Sequence, residues 1–275
     1  MSENIVGIVS ALKSEARCLM KRRFALFDIV RIAPGTRLCL GGMGGAGALK
    51  ASQILHEYGV DALISFGVAA ALDDKLIPGD LILPEAIYCK DKKLSVTHRW
   101  RERVAEMLPS YLTVTGGTLA DTQSPLSSRQ EKLKLAEVTG ACAADMESAT
   151  VAEFAAHMNL PFIAVRAVVD PLDFSPPRAL LDTVYADGTV DVIKMTTAIC
   201  NKSVSFRTLF DLGAGMNAAR STLSKVVHTV TVGFSFKSEL TDRGSADEPA
   251  VGQIEECVDA NTEPDKSSVS ASNSG

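Results

Sequence analysis

Ala144-Asp145-Met146-Glu147-Ser148-Ala149, followed by the apolar run 161–169 that ends in Asp170, is the stretch that decides the fold. The first part reads as a small, carboxylate-bearing turn opening a helix over 146–158. About twenty residues later the second part reads as a buried strand over 161–168 that delivers another acid at its C-terminal end. In open α/β sheets that end of the strands is where ligands bind. Two acids brought to such an edge can do different work. One can hold ligand hydroxyls as an ionised acceptor, and the other can donate a proton if burial raises its pKa.

Outward from this stretch, apolar β-type runs alternate with helical patterns, the signature of an α/β fold. Strands are expected over 5–10, 37–40, 62–66, 80–83, 112–115, 142–144 and 161–168. Helices are expected over 13–22, 46–58, 99–108, 127–137 and 146–158. The expectation is a single α/β domain over 1–190, with a central mixed sheet flanked by helices. Residues 170–177 are rich in proline and read as a loop. Over 191–237 a second pattern takes over. Leu209, Leu212, Met216, Ala219, Leu223, Val226 and Val230 recur at helical spacing, and 194–237 holds six Lys/Arg against one acid, Asp211. This stripe reads either as a helix docked on the domain with a solvated basic face, or as contact with an anionic membrane surface.

The last 38 residues, 238–275, carry nine acids against two bases, so the formal charge of −5 hides a body of about +2. This tail is polar, acidic and aperiodic, and it is expected to be disordered. The chain has no uncharged apolar run long enough to span a bilayer. Its start, with Glu3 and a short apolar stretch, reads as a first strand and not as a signal peptide. Six cysteines without a CxxC pair, in a chain read as unexported, point to reduced thiols in a cytoplasm. The four histidines lack ligand spacing, so no metal site is expected.

Gly42-Met43-Gly44-Gly45-Ala46-Gly47 matches G-x-G-x-x-G between a strand and a helix. A dinucleotide site also needs an acid ending the second strand, and here Asp61 precedes that strand while Gly67 follows it. The glycines read better as backbone N–H donors near a helix start. Gly67-Val68-Ala69-Ala70-Ala71 reads as a close backbone approach to a ligand or as a tight turn. Glu15, taken alone, reads as a solvated helix acid. Arg166, inside an apolar strand, needs a partner if buried. Asp170 before Pro171 can also be a turn-starter.

Together these segments resemble the purine nucleoside phosphorylase and nucleosidase superfamily, over about residues 4–172. Ile5 to Glu15 looks like the opening strand and helix of the methylthioadenosine/S-adenosylhomocysteine nucleosidases, with Glu15 on their catalytic glutamate. Gly42-Met43-Gly44, Gly67 and Gly79-Asp80 fall on the glycine loops. Asp145-Met146-Glu147-Ser148-Ala149 falls on the ribose-binding signature, and the strand ending in Asp170 on the one carrying the purine-contacting aspartate. Arg166 to Pro171, Pro176-Pro177, Asp187-Gly188 and the basic C-terminal segment look like the hopanoid-associated phosphorylases.

The resemblance implies an enzyme that breaks an N-glycosidic bond and releases adenine, with adenosylhopane as substrate in hopanoid biosynthesis. It puts Asp170 as general acid toward purine N7 and Glu147 on the ribose 2′- and 3′-hydroxyls, with Met146 against the sugar. Glu15 would activate water or orient the nucleophile, and Gly44 and Gly67 would offer backbone contacts to it. Val68, Ala70-Ala71 and Ser65 depart from the superfamily pattern. The departures leave water and inorganic phosphate both open as nucleophile. No metal or redox cofactor is called for. The expected partners are a small-molecule adenine nucleoside and further copies of the chain as a homo-oligomer. No nucleic acid is expected, and the expected location is the cytoplasm, with peripheral contact at the inner membrane face. The alternatives are a plain methylthioadenosine/S-adenosylhomocysteine nucleosidase or a non-catalytic nucleoside-binding protein. A binding protein has no use for a proton donor such as Asp170.

Overall fold

Strict alternation along three long strands sorts the core into two layers. In β1 (Val6–Ser10), β4 (Ala62–Ala71) and β11 (Phe162–Asp170), successive side chains point to opposite faces of the sheet. Val6, Ile8, Ala62, Ile64, Phe66, Ile163, Val165 and Ala167 go to one face. There they meet α1 (Lys13–Leu19), α3 (His98–Met107) and a long α6 (Phe206–Val230) through Ala16, Leu19, Trp100, Val104, Ala219, Leu223 and Val226. Val9, Leu63, Ala69, Ala71, Phe162, Ala164 and Val168 go to the other face. That face meets α2 (Gly45–Glu57) and α5 (Ser148–His157) through Ala48, Ala51, Leu55, Val151 and Ala155. Full burial of each large aliphatic side chain contributes roughly 1.5–3 kcal/mol, which is why both faces must be covered.

The computed structural model describes residues 4–176 and 205–230, all within one compact unit, Met1–Thr241. The remaining strands are β2 (Ile29–Ala33), β3 (Thr36–Leu40), β5 (Leu81–Ile82), β6 (Ala86–Cys89), β7 (Lys92–Ser95), β8 (Val114–Thr115), β9 (Thr118–Asp121) and β10 (Ala143–Asp145). α4 (Arg129–Thr139) lies between β9 and β10. The sheet runs β2-β3-β1-β4-β10-β9-β6-β7, with β11 joining β4 to β5 and β5 joining β8. β1, β3, β4 and β11 are mutually parallel along this path, while β2–β3, β6–β7, β10–β4 and β11–β5 are antiparallel. The sheet is therefore mixed and flanked by helices, as expected.

The strand over 62–66 continues to Ala71, because residues through Ala70 pair with β11, with a register shift between Val168 and Asp170, and Ala70 and Ala71 also pair with β10. The small residues after Phe66 are therefore strand and not a turn. The first helix stops at Leu19, and the helix expected from 146 starts at Ser148 with Glu147 in the cap position. Asp170 is the last residue of β11. β2, β6, β7 and β9 were not expected. The Asp187-Gly188 motif, the first part of the 191–237 segment and the 238–275 tail lie outside the described residues.

The stripe of α6 packs on the domain: Ala219, Leu223 and Val226 are fully buried, and Leu212 and Met216 are partly buried against the same cluster. Ala219, Leu223 and Val226 are therefore not available to meet lipid, since α6 packs there against β11, α1 and α3. Among the described residues no helix is long and apolar enough to cross a membrane.

Candidate active site

The C-terminal ends of β1, β4 and β11 deliver the site. Ser10, Ala11 and Leu12 leave β1 and lead into α1, whose Glu15 is 1% exposed and not solvated. Its Oε2 accepts from the Ser10 hydroxyl at 3.1 Å and from the N–H groups of Ala11 and Leu12 at 3.1 and 2.8 Å. Its Oε1 accepts from the Val68 N–H at 2.9 Å, tying the start of α1 to the middle of β4. Burial pushes this carboxyl above its ordinary value, opposed by Arg166 and by the backbone donors. Gly67 is what lets the carboxylate in. A Cβ there would lie 2.5 Å from Glu15 Oε1 and 2.6 Å from Arg166 Nη1, closer than side chains pack. Gly67 thus clears space, while the donated N–H is that of its neighbour Val68.

Arg166 occupies an apolar slot of β11, on the face covered by α2 and α5, and is 1% exposed. A buried guanidinium requires acceptors on several sides. Nε lies 2.7 Å from Asp145 Oδ2, Nη1 3.5 Å from Glu147 Oε2, and Nη2 donates to Ser65 Oγ at 2.5 Å. Ser148 Oγ donates to Asp145 Oδ2, and the Ser148 N–H donates to Oδ1, so Asp145 also satisfies the start of α5. Ser65, reached only because β4 and β11 pair, has become part of this network. Sequence reasoning anticipated a partner for Arg166 but did not place Asp145, Ser65 or Ser148 around it.

Glu147 is 7% exposed and stands in the N-cap position of α5. Its Oε1 accepts from the Gly44 N–H at 2.8 Å, at the start of α2, where the helix dipole favours a negative charge. Gly44 holds φ +85°, a left-handed conformation that suits glycine. The glycine-rich turn therefore presents its amide to Glu147. Burial raises the Glu147 pKa to about 7, Arg166 lowers it, and Asp145 and Glu15 raise it further.

Asp170 ends β11 with its Oδ2 at 2.7 Å from the Nζ of Lys132, a wholly buried lysine of α4. Burial pushes the Asp170 carboxyl up, and the Lys132 ammonium opposes that rise. Lys132 was not anticipated. In the sequence it sits in Glu131-Lys132-Leu133-Lys134 with nothing to separate it from its solvated neighbours.

Glu15, Met146, Glu147 and Asp170 all line one cavity of about 570 Å³, a size suited to a drug-sized ligand. Gly44 and Gly67 stand just behind it, through Glu147 and Val68. Leu12, Leu126, Phe174, Leu209, Leu212 and Met216 form an apolar remainder, three of them from the first turns of α6. A site of this kind can bind a polar head against acids and an apolar appendage against α6. Its raised carboxyls suit proton donation near neutral pH.

The family model of the phosphorylase superfamily matches residues 32–199. A 5′-methylthioadenosine/S-adenosylhomocysteine nucleosidase of Staphylococcus aureus (strain JH9) is 23% identical over 196 residues, covering 60% of this chain and 86% of that protein. Among solved structures, the Neisseria meningitidis 5′-methylthioadenosine/S-adenosylhomocysteine nucleosidase in complex with methylthio-immucillin-A is 16% identical. It has a TM-score of 0.63, covering 83% of this chain and 98% of that one. Futalosine hydrolase of Helicobacter pylori is 14% identical, with a TM-score of 0.62 and coverage of 83% and 97%. At these identities the structures share the fold with this chain.

Proposed function

The chain belongs to the phosphorylase superfamily as an enzyme of N-glycosidic bond cleavage, and on that premise we propose that it acts on an adenosine with a large apolar 5′-substituent. Adenosylhopane, in hopanoid biosynthesis, is the substrate this reading favours. The observation that carries it is the composition of one cavity, which is lined both by Glu15, Glu147 and Asp170 and by the apolar side chains of α6 with Phe174 and Leu126. A methylthio group leaves most of that apolar wall unused.

In the proposed reaction Asp170 gives a proton to purine N7 while the C1′–N9 bond breaks and its electron pair goes to the base. Glu147 accepts from the ribose hydroxyls, exchanging some of its present contact with Gly44, and Met146 packs on the sugar. Glu15 orients water, or phosphate as co-substrate, toward C1′. Contact with an anionic membrane, if the substrate resides there, would fall to the outer face of α6, where Phe210 is 75% exposed and Arg207 and Arg220 are also exposed.

A second reading, a plain methylthioadenosine/S-adenosylhomocysteine nucleosidase, is favoured by the named activity of the Staphylococcus aureus relative. Purified protein given adenosylhopane or methylthioadenosine, each with and without phosphate, separates the two. The expected result is faster adenine release from adenosylhopane, with the sugar product naming the nucleophile. Preference for methylthioadenosine would establish the second reading instead.

A further inference from the structure

A lysine ammonium enclosed by protein is costly unless every proton it carries is taken up. The side chain of Lys132 is 0% exposed. Its three N–H donors go to Asp170 Oδ2 at 2.7 Å, to the Pro171 carbonyl at 2.7 Å and to the Phe174 carbonyl at 3.0 Å. Three donors meet three acceptors, so the ammonium is saturated. All three acceptors lie on the end of β11 and the turn behind it, and Asp170 and Phe174 border the cavity. A strap for that turn needs only the two carbonyls. The third bond completes the saturation of the ammonium and also fixes a cation against the carboxylate proposed as general acid.

We propose that Lys132 is a positioning residue for proton transfer: it grips Asp170 by Oδ2, leaves Oδ1 for the base, and stabilises the carboxylate that Asp170 becomes when its proton has gone. This rests on the reading of Asp170 as the acid. In the step, the Oδ1–H bond breaks and an N7–H bond forms. The C1′–N9 electron pair moves to the purine, and Asp170 is left as an anion beside the Lys132 cation. Negative charge grows on the carboxylate as the proton leaves, and a cation already held 2.7 Å away needs no reorganisation to meet it. Lys132 is the charged group that acts on the Asp170 carboxyl, and the acids Glu15 and Glu147 line the same cavity. Arg129 pairs with Asp173 at 2.6 Å on the exposed side of the turn, and Asp211 of α6 borders a neighbouring cavity with Asp170. Burial alone would hold the Asp170 proton tightly, and Lys132 works against this. A donor without Lys132 is a weaker acid that stays protonated to higher pH.

The test compares wild type with K132M, with K132Q (which keeps donors for the two carbonyls but no charge) and with K132R. Methylthioadenosine serves as adenine nucleoside and p-nitrophenyl riboside as a substrate whose leaving group needs no proton. Loss of the charge is expected to lower kcat on methylthioadenosine about 10- to 100-fold, and on the nitrophenyl riboside less than about threefold. The alkaline limb of the kcat profile should move up by about one pH unit or more in K132M and K132Q. K132R should restore both. Equal losses on the two substrates with an unmoved limb would make Lys132 a structural strap and overturn the proposal. If D170N keeps the wild-type rate, or wild type releases adenine from neither methylthioadenosine nor adenosylhopane, the reading of Asp170 falls and this proposal with it. A normal K132Q profile beside a dead D170N removes only the role of Lys132.

Discussion

Replacing Arg166 with methionine tests the buried charge network most directly. The substitution keeps much of the side-chain volume and removes the cation that Asp145 meets at 2.7 Å and Glu147 at 3.5 Å. These side chains are 1–9% exposed, so water cannot replace the lost partner. Removing one member of such a pair costs about 3–5 kcal/mol. For a domain of this size that corresponds to a fall of roughly 6–20 °C in thermal midpoint. The loss should depend on pH with a definite sign. At pH 8 the orphaned carboxylates would be ionised in the unfolded chain and forced to stay so, or to take up protons, on folding. At pH 5.5 Glu147, whose pKa is already about 7, holds its proton and needs the cation less. Circular dichroism melts at both values give the comparison, and the fall should be smaller at pH 5.5. A fall of under about 3 °C at pH 8, or equal falls at the two pH values, would refute the assignment of Arg166 as a desolvated charge partner.

Asp170→Asn should lower adenine release by about two to four orders of magnitude with little change in thermal midpoint, and a near wild-type kcat removes it as the acid. In the folded chain Glu147 keeps its proton up to about pH 7 against an ordinary 4.5, so the stability that proton contributes is lost as pH rises through that window. Glu147→Gln should therefore raise the midpoint relative to wild type by about 3 °C more at pH 8 than at pH 5, measured by differential scanning calorimetry. Gly67→Ala puts a methyl 2.5 Å from Glu15 Oε1, and should cost about 1–3 kcal/mol in urea unfolding together with at least about tenfold in kcat. Unchanged values for Gly67→Ala would show that Glu15 can move aside freely.

The residues differ sharply in what they disclose before folding. Pro161 to Asp170 announces a buried strand because nine apolar or terminal positions surround a single cation. The turn at Ser128 and the end at Gly140 bracket α4 by ordinary capping, with Ser128 Oγ accepting the Glu131 N–H and Gly140 at φ +66°. By contrast, Lys92–Ser95 is mostly exposed, and it is a strand only because β6 lies beside it. Gly67 to Ala71 has the composition of a turn and becomes strand through pairing with β11 and β10, which no local signal encodes. Glu147 and Asp170 were legible as candidates because they stand at element boundaries, whereas Glu15, inside the first turn of α1, was singled out only by the family resemblance. Asp145 stood at the same boundary, but its salt bridge to Arg166 depends on two strands brought together across the sheet. Lys132 was invisible for the opposite reason: a mid-helix lysine looks the same whether its ammonium ends in water or in the protein.

The placement of α6 separates two properties that often constrain each other in enzymes. The span matched by the superfamily ends at residue 199, while Leu209, Leu212 and Met216 come after it. Glu147 and Asp170 lie within that span and Glu15 before it, while much of the cavity's apolar lining is supplied by α6, which packs on β11. Drift or design in the first three turns of α6 can then retune which appendage is accepted while the acids keep their geometry. Ala219, Leu223 and Val226, further along the same helix, keep it seated during such changes. The anchor and the selector are successive stretches of one helix. A library confined to positions 209, 212 and 216 is thus a compact route to new selectivity on an unchanged reaction centre.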